Sequence, residues 1–104
     1  MNRLGLSPEH LAIMDSVFAR HLEVERVKVF GSRALGSFTA RSDVDLVVYG
    51  KKIDRFVIGD MLLDFESSNL PYLVDLLNYD EIKNPELRRH MDRVAVDIYV
   101  RTPV

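Results

Sequence analysis

The segment 29–49 constrains the fold of this chain most strongly, because it joins two apolar runs through a turn that contains glycine and polar residues. Its sequence is V-F-G-S-R-A-L-G-S-F-T-A-R-S-D-V-D-L-V-V-Y. β-Branched and aromatic runs that are bounded by glycine, serine or aspartate are typical of strands. We therefore predict strands over 27–30 and 43–49, with a short helix over 32–35 and a polar loop over 37–42 between them.

Three longer helices are predicted from capping residues and from apolar residues at helical spacing. Ser7-Pro8 and Asn84-Pro85 each combine a capping side chain with a proline that suits the first turn, and Asp54 can cap the third helix. The predicted buried faces consist of Leu11, Met14, Phe18 and Leu22, then Ile58, Met61, Leu62 and Phe65, and finally Leu87, Met91 and Val94.

Two further apolar runs, 72–77 and 94–100, predict two more strands. Helices and strands then alternate along the chain, which favours an α/β or α+β fold with a sheet of about four strands covered by helices. A length of 104 residues suits one domain, 1–104, and is too short for two. These patterns do not determine the order of the strands in the sheet.

Composition excludes several classes of function. The formal charge is −2, whereas a protein that mainly grips a nucleic-acid backbone carries an excess of basic residues, so we expect no direct nucleic-acid partner. The chain has no cysteine, which excludes disulfides, thiolate catalysis and zinc–thiolate sites. It shows no signal segment and no apolar run that could span a bilayer, so we expect a cytoplasmic protein without a membrane partner.

Asp43 and Asp45 are candidate ligands of a hard divalent cation. Residues i and i+2 of a strand point to the same face, so the two carboxylates are expected side by side. Two like charges this close favour a cation between them, and Mg²⁺ prefers oxygen ligands. The alternative from these residues alone is that both aspartates are merely solvated at the beginning of a strand, where aspartate is common.

Gly31 and Ser32 add a candidate phosphate site next to these carboxylates. Glycine lets the backbone turn tightly against a ligand, and the amides that follow it lie at the N-terminus of a predicted helix. Ser32 can donate a hydrogen bond to a phosphate oxygen and Arg33 can add a positive charge; with Gly31 and Ser42 they form the predicted nucleotide-binding set. No Walker P-loop and no G-x-S-x-G nucleophile elbow is present.

Gly31-Ser32, ten intervening positions (33–42) and Asp43-Val44-Asp45 together resemble the signature of DNA-polymerase-β-like nucleotidyltransferases. The motifs G-S-R-A-L-G, S-D-V-D-L and N-P-E-L-R-R-H are more narrowly similar to the minimal nucleotidyltransferase (MNT) proteins of prokaryotes, which act as antitoxins in HEPN–MNT toxin–antitoxin systems. The resemblance implies a mixed sheet, ATP as substrate and two Mg²⁺ ions on Asp43, Asp45 and a third carboxylate. Asp75 matches that third position, expected among apolar neighbours, and Asp97 is the rival candidate.

The resemblance also implies an acceptor and a reaction. MNT proteins pair with HEPN toxins, and family members transfer AMP to a tyrosine of the toxin, so we expect a protein adenylyltransferase that acts as an antitoxin. One alternative is a binding module that neutralises its partner by contact around a vestigial nucleotide site. Another is a nucleotidyltransferase for small molecules whose site is completed by a dimer. The composition permits a homodimer or a hetero-oligomer, and no residue can be assigned to reading the base.

Overall fold

The computed structural model describes residues 3–102. Its elements are α1 (Pro8–Arg20), β1 (Arg26–Phe30), α2 (Gly31–Leu35), β2 (Val44–Tyr49), α3 (Arg55–Glu66), β3 (Val74–Asn78), a 3-10 turn (Tyr79–Glu81), α4 (Pro85–Val94) and β4 (Val96–Val100). The predicted alternation of helices and strands, and the α+β class with a four-stranded sheet, are confirmed.

The predicted helix caps are formed by side-chain hydrogen bonds. Ser7 Oγ accepts a hydrogen bond from the amide of His10 at the start of α1. Asp54 accepts two amide hydrogen bonds at the start of α3, and Asn84 does the same at α4. Each cap satisfies amides that would otherwise have no partner within the helix, so these helix starts are determined locally.

The sheet is mixed, with the strand order β3-β2-β1-β4. β1 pairs antiparallel with both β2 and β4, whereas β2 pairs with β3 in parallel. The hairpin partners β1 and β2 therefore occupy the centre of the sheet. This arrangement places the turn after β1, the beginning of β2 and the beginning of β3 at the same end of the sheet.

The two faces of the sheet differ in what covers them. One face carries the main core, in which valines and leucines of the strands pack against α1 and α3, with Met14, Phe18, Met61 and Phe65 contributed by these helices. On the opposite face a smaller cluster is formed by Val47, Ile82 and Met91. Asp45 is two residues before Val47 along β2 and therefore points to the same face as Val47, the second face.

Three predicted core residues on the helices are exposed. Helix α1 ends at Arg20, because the backbone becomes extended at His21 (φ −108°, ψ 98°), and Leu22 beyond it is 77% exposed. Leu62 and Leu87 are also exposed, although they lie at helical spacing from buried residues. Periodicity identified the helices correctly but overestimated the width of their buried faces.

Several strand boundaries also differ from the predictions. β2 begins at Val44, so Asp43 lies directly before the strand rather than in it. β3 begins at Val74, two residues later than predicted, and leaves Leu73 75% exposed. Val94 is the last residue of α4 and not the first of β4. Apolar character alone does not distinguish a strand from the exposed residue that precedes it.

Within residues 3–102, no helix combines the length and the apolar character that are needed to cross a membrane.

Candidate active site

Gly31 joins β1 to α2 with a φ of +73°, a conformation that favours glycine. A Cβ atom added at this position would collide with Oδ2 of Asp45 and would lie 3.1 Å from Cγ of the same side chain. Carbon atoms pack best at separations of about 3.5–4.0 Å. The Asp45 carboxylate therefore packs directly against the backbone of the glycine turn. The predicted proximity of the turn and this aspartate is confirmed.

Asp45 and Asp75 lie opposite each other on neighbouring parallel strands. Paired residues point to the same face of a sheet, and the strands are about 4.8 Å apart. On the other side of Asp45 the paired residue is Phe30, which directly precedes Gly31. Asp45 on β2 thus has the glycine turn on one side and the Asp75 carboxylate on the other.

The three aspartates form one electrostatic group that is centred on Asp45. Burial raises the pKa of the Asp45 carboxyl above its ordinary value, and the charges of Asp75 and Asp43 raise this pKa further. Burial and the neighbouring like charges thus both disfavour the ionised form of Asp45. A divalent cation with oxygen ligands would supply this compensation.

The donor chemistry of this group suits Mg²⁺, since all of its side chains present carboxylate oxygens. In the described part of the chain, however, no three His, Asp or Glu side chains converge closely enough to form a ready-made metal site. Mutual repulsion of unneutralised carboxylates opposes such convergence. The use of Asp43, Asp45 and Asp75 as metal ligands therefore stays a prediction.

Arg33 is placed differently from the prediction that it binds the nucleotide. Its side chain is 2% exposed, and its guanidinium donates hydrogen bonds to four backbone carbonyls, those of Leu4, Gly5, Ser42 and Asp43. Each of its three nitrogens is thus engaged within the protein. The expectation of a phosphate contact is corrected, because a guanidinium enclosed in this way is not presented to a ligand.

Ser42 also has a structural role that the sequence did not reveal. Its hydroxyl oxygen accepts a hydrogen bond of 2.8 Å from the amide of Thr39, and its own amide donates to the Thr39 carbonyl at 3.2 Å. These bonds close the loop that precedes Asp43. Ser32, by contrast, is half-buried as the second residue of α2, and its contact with a phosphate stays a prediction.

A comparison with protein families decides the class of this fold. The family model described as "Polymerase beta, Nucleotidyltransferase" matches residues 14–103. The chain belongs to this nucleotidyltransferase family. The resemblance inferred from Gly31-Ser32 and Asp43-Val44-Asp45 is thereby confirmed, and the protein is a nucleotidyltransferase.

Individual relatives agree with this assignment. The chain is 33% identical over 78 residues to a Haemophilus influenzae protein named "probable protein adenylyltransferase MntA", covering 74% of this chain and 68% of the relative. A crystal structure of a toxin–antitoxin with AMP-PNP matches with a TM-score of 0.70 at 16% identity, covering 88% of this chain and 74% of the other. A structure of a tri-AMPylated Shewanella oneidensis HEPN toxin in complex with an MNT antitoxin matches with a TM-score of 0.66 at 14% identity, covering 89% and 71%. At these identities the two structures show a shared fold.

The two candidates for the third carboxylate of the nucleotidyltransferase occupy different places. Asp75 is paired with Asp45, whereas Asp97 lies on β4 opposite Lys28. Asp97 also forms an ion pair with Arg26, with a distance of 3.5 Å between Oδ1 and Nε. Asp75 therefore joins the group around Asp45, and Asp97 has a cationic partner of its own on the neighbouring strand.

The surroundings of Asp75 differ from the expected apolar environment. Asp75 is exposed, and Leu73, which was expected beside it on the same strand face, precedes the strand and is 75% exposed. Because β3 is an edge strand, water reaches the carboxylate directly. The expected apolar surroundings of this carboxylate are therefore wrong, and repulsion from Asp45 is what a cation would relieve here.

Proposed function

We propose that this nucleotidyltransferase transfers AMP from ATP to a hydroxyl group, that of a tyrosine, on a HEPN toxin and thereby acts as an antitoxin. The observation that carries the proposal is the pairing of Asp45 with Asp75 directly beside Gly31. Two carboxylates and a glycine turn lie together at one end of the sheet, which supports a shared site for a cation and for phosphates. The named relatives, a probable protein adenylyltransferase and an MNT antitoxin bound to a tri-AMPylated toxin, support the choice of AMP and of a protein acceptor.

In this proposal the backbone at Gly31 and the hydroxyl of Ser32 bind the triphosphate of ATP. Asp43, Asp45 and Asp75 hold Mg²⁺, and two ions are expected as in other phosphoryl-transfer sites. When bound, Mg²⁺ neutralises negative charge on the phosphates and lowers the pKa of an oxygen that it coordinates. Arg33 is not part of this set, because its nitrogens are bonded to carbonyls.

The reaction exchanges a phosphoanhydride bond of ATP for a phosphoester bond to the acceptor. A bond forms between the acceptor oxygen and the α-phosphorus of ATP, the bond from that phosphorus to the bridging oxygen breaks, and pyrophosphate leaves with the bonding electrons. Asp75 is suited to accept the proton of the acceptor hydroxyl, because it is exposed on an edge strand where an acceptor can approach. Asp45 is half-buried and packs against the glycine turn, so its role is to hold and orient Mg²⁺.

The exposure of the carboxylates favours a large acceptor. Asp43 and Asp75 are both exposed, and Asp75 belongs to an edge strand. Small-molecule sites, by contrast, are usually enclosed pockets that bury most of the ligand. A tyrosine on the surface of a second protein could reach such an open site. Because ATP is the substrate, the proposal places the reaction in the cytoplasm.

The test is transfer of AMP to the HEPN protein that co-purifies with the chain. The two proteins are incubated with Mg²⁺ and ATP, and both are weighed by intact-protein mass spectrometry. We expect an increase in mass by one or more AMP groups on the toxin, and tandem mass spectrometry should locate it on tyrosine. Omission of Mg²⁺ should abolish the increase.

Three matched variants assign the carboxylates. Asp45→Asn and Asp75→Asn should each lower transfer by at least about 100-fold, in the range typical of lost acid–base or charge-stabilising groups. Asp97→Asn is the control, since it removes a carboxylate from the same sheet without changing the Asp45 group. If Asp97→Asn lost activity while Asp75→Asn kept it, the assignment of the third carboxylate would be refuted.

Other outcomes would identify a different function. Tight binding of the toxin with no change in mass, unaltered by Asp45→Asn, would indicate neutralisation by contact. Consumption of ATP only after an aminoglycoside is added would indicate a small-molecule acceptor. Either result would refute the proposed protein adenylylation without affecting the membership of the family.

A further inference from the structure

Arg33 lies in the helix that follows the glycine turn and contacts the segments directly before β2 and β3, the strands that carry Asp45 and Asp75. It belongs to α2 itself, two residues after Gly31, and its Nε and one terminal nitrogen donate to the carbonyls of Asp43 and Ser42 at 3.3 and 2.8 Å. Its guanidinium carbon also lies 4.5 Å from the centre of the Tyr72 ring, and Tyr72 precedes the strand that carries Asp75.

The same guanidinium anchors the segment before α1. Its other terminal nitrogen donates to the carbonyls of Leu4 and Gly5 at 2.9 and 3.3 Å, and the ring of Phe38 lies 5.2 Å from its central carbon. A side chain that is 2% exposed and bonded on all sides has one orientation. Because buried charges are costly unless they are satisfied, these contacts are tightly coupled to one another.

The backbone of Asp43 depends on these contacts. Asp43 lies outside β2, and its carboxylate is exposed, so strand pairing and packing do not hold the side chain. The carbonyl of Asp43 is held by Arg33, and the next amide, that of Val44, donates to the Leu73 carbonyl at 2.9 Å. The direction of the Asp43 carboxylate is therefore set by a peptide unit that Arg33 holds from one side.

We propose that Arg33 is the positioning residue of the nucleotide site: it holds the Asp43 backbone and the Tyr72 segment in place relative to the Gly31-Ser32 turn, so that the aspartates can share a cation. The proposal rests on the proposed function, since it concerns Mg²⁺-dependent binding of ATP. It assigns Arg33 no contact with the nucleotide. Residues that orient metal ligands from outside typically contribute 10–100-fold to metal affinity.

The chain offers a matched control in Arg101. Its guanidinium also donates to three backbone carbonyls, those of Val24, Phe18 and His21, and lies 5.7 Å from the ring of Tyr99. Phe18 and Val24 belong to the main core, and Arg101 follows β4 at the end of the sheet opposite to Asp45. Arg33→Lys and Arg101→Lys therefore remove similar interactions, but only the first touches the segments of the site.

A second pair of variants perturbs Arg33 without changing it. Gly5 has a φ of +72°, and a Cβ there would lie 2.9 Å from a terminal nitrogen of Arg33 and 2.8 Å from Cζ of Phe38. Gly5→Ala should therefore displace the Phe38 ring and, with it, the guanidinium that this ring contacts. Gly36 has a similar φ of +81°, but a Cβ there meets nothing within 4 Å, so Gly36→Ala reproduces the backbone strain alone.

The experiment measures binding of Mg·ATP by calorimetry without an acceptor, for variants first shown to be folded by circular dichroism. We expect Arg33→Lys and Gly5→Ala to raise the dissociation constant about 10-fold or more, and to raise the Mg²⁺ concentration needed for half-maximal transfer. High Mg²⁺ should partly restore kcat, because the defect lies in cation binding. Arg101→Lys and Gly36→Ala should bind like the wild type.

Each outcome is decisive. If Arg33→Lys does not fold, a comparison of Mg·ATP binding by Gly5→Ala and by Gly36→Ala tests the positioning role instead. Binding by Arg33→Lys and Gly5→Ala that equals wild-type binding would overturn the positioning role, and so would equal losses in Arg33→Lys and Arg101→Lys. Failure of the wild-type protein itself to bind Mg·ATP would instead overturn the proposed function, and the positioning role with it.

Discussion

Replacing Gly31 by alanine tests whether the glycine turn and the Asp45 carboxylate form one site. Two effects are expected. The left-handed backbone conformation (φ +73°) costs an alanine about 1–2 kcal/mol. In addition, the new Cβ would collide with Oδ2 of Asp45 and approach its Cγ to 3.1 Å, well inside the usual carbon–carbon distance. The carboxylate or the turn must move, by a distance on the order of 1 Å.

The expected loss of activity follows from this displacement. A misplacement of about 1 Å in a catalytic group can lower the rate about 100-fold, or roughly 2.7 kcal/mol of transition-state stabilisation. The loss of stability is smaller than the total stability of a typical domain, about 5–15 kcal/mol, so Gly31→Ala should remain folded. Urea denaturation followed by circular dichroism measures the loss of stability, and AMP transfer to the partner measures the loss of activity.

Gly36→Ala separates strain from collision. Gly36 ends α2 with φ +81°, and a Cβ there meets nothing within 4 Å. Its loss of stability should match that of Gly31→Ala to within about 1 kcal/mol, because both pay the same backbone cost. Its transfer activity should stay within a few-fold of wild type. Equal activity of the two variants would refute the reasoning that position 31 must be glycine because the Asp45 carboxylate packs against it.

Two further predictions concern stability. Gly59→Ala should increase the free energy of unfolding by about 0.5–1 kcal/mol in urea denaturation, because Gly59 lies inside α3 and a Cβ there has open space; a loss of stability would contradict this. Asp45→Asn should be more stable than the wild type at pH 7, because the pKa of Asp45 is raised on folding and the ionised form is therefore disfavoured in the folded state. The gain in stability should shrink as the pH falls through the folded pKa towards 3.8, because the wild-type carboxyl then becomes protonated and loses its unfavourable charge. A gain that is independent of pH would contradict this cause.

Local features were predictable from the sequence for a physical reason. Ser7, Asp54 and Asn84 cap helices through amides two or three residues away, so the information lies within one turn of chain. Gly31 was likewise identifiable as a turn, and its conformation agrees with that prediction. The exposed Leu22 was mispredicted because its helical spacing continues beyond the last residue of α1.

The choice between Asp75 and Asp97 needed the tertiary structure. Both are aspartates in short apolar runs, and the runs alone do not show which strand lies beside β2. Strand order places β3 next to β2 and puts β4 beyond β1. Pairing then brings Asp75 opposite Asp45 and leaves Asp97 to the ion pair with Arg26.

The sequence by itself determined that the chain has a glycine turn and an aspartate pair at the spacing of a nucleotidyltransferase, because these residues are neighbours along the chain. The surroundings of Arg33 were decided only by the tertiary structure. Next to Ser32 it looked like a phosphate ligand, but carbonyls from 4–5 and 42–43 and the ring of Tyr72 enclose it. Whether an arginine side chain contacts a ligand or the protein backbone depends on which distant segments surround it. Those segments meet only when the chain folds.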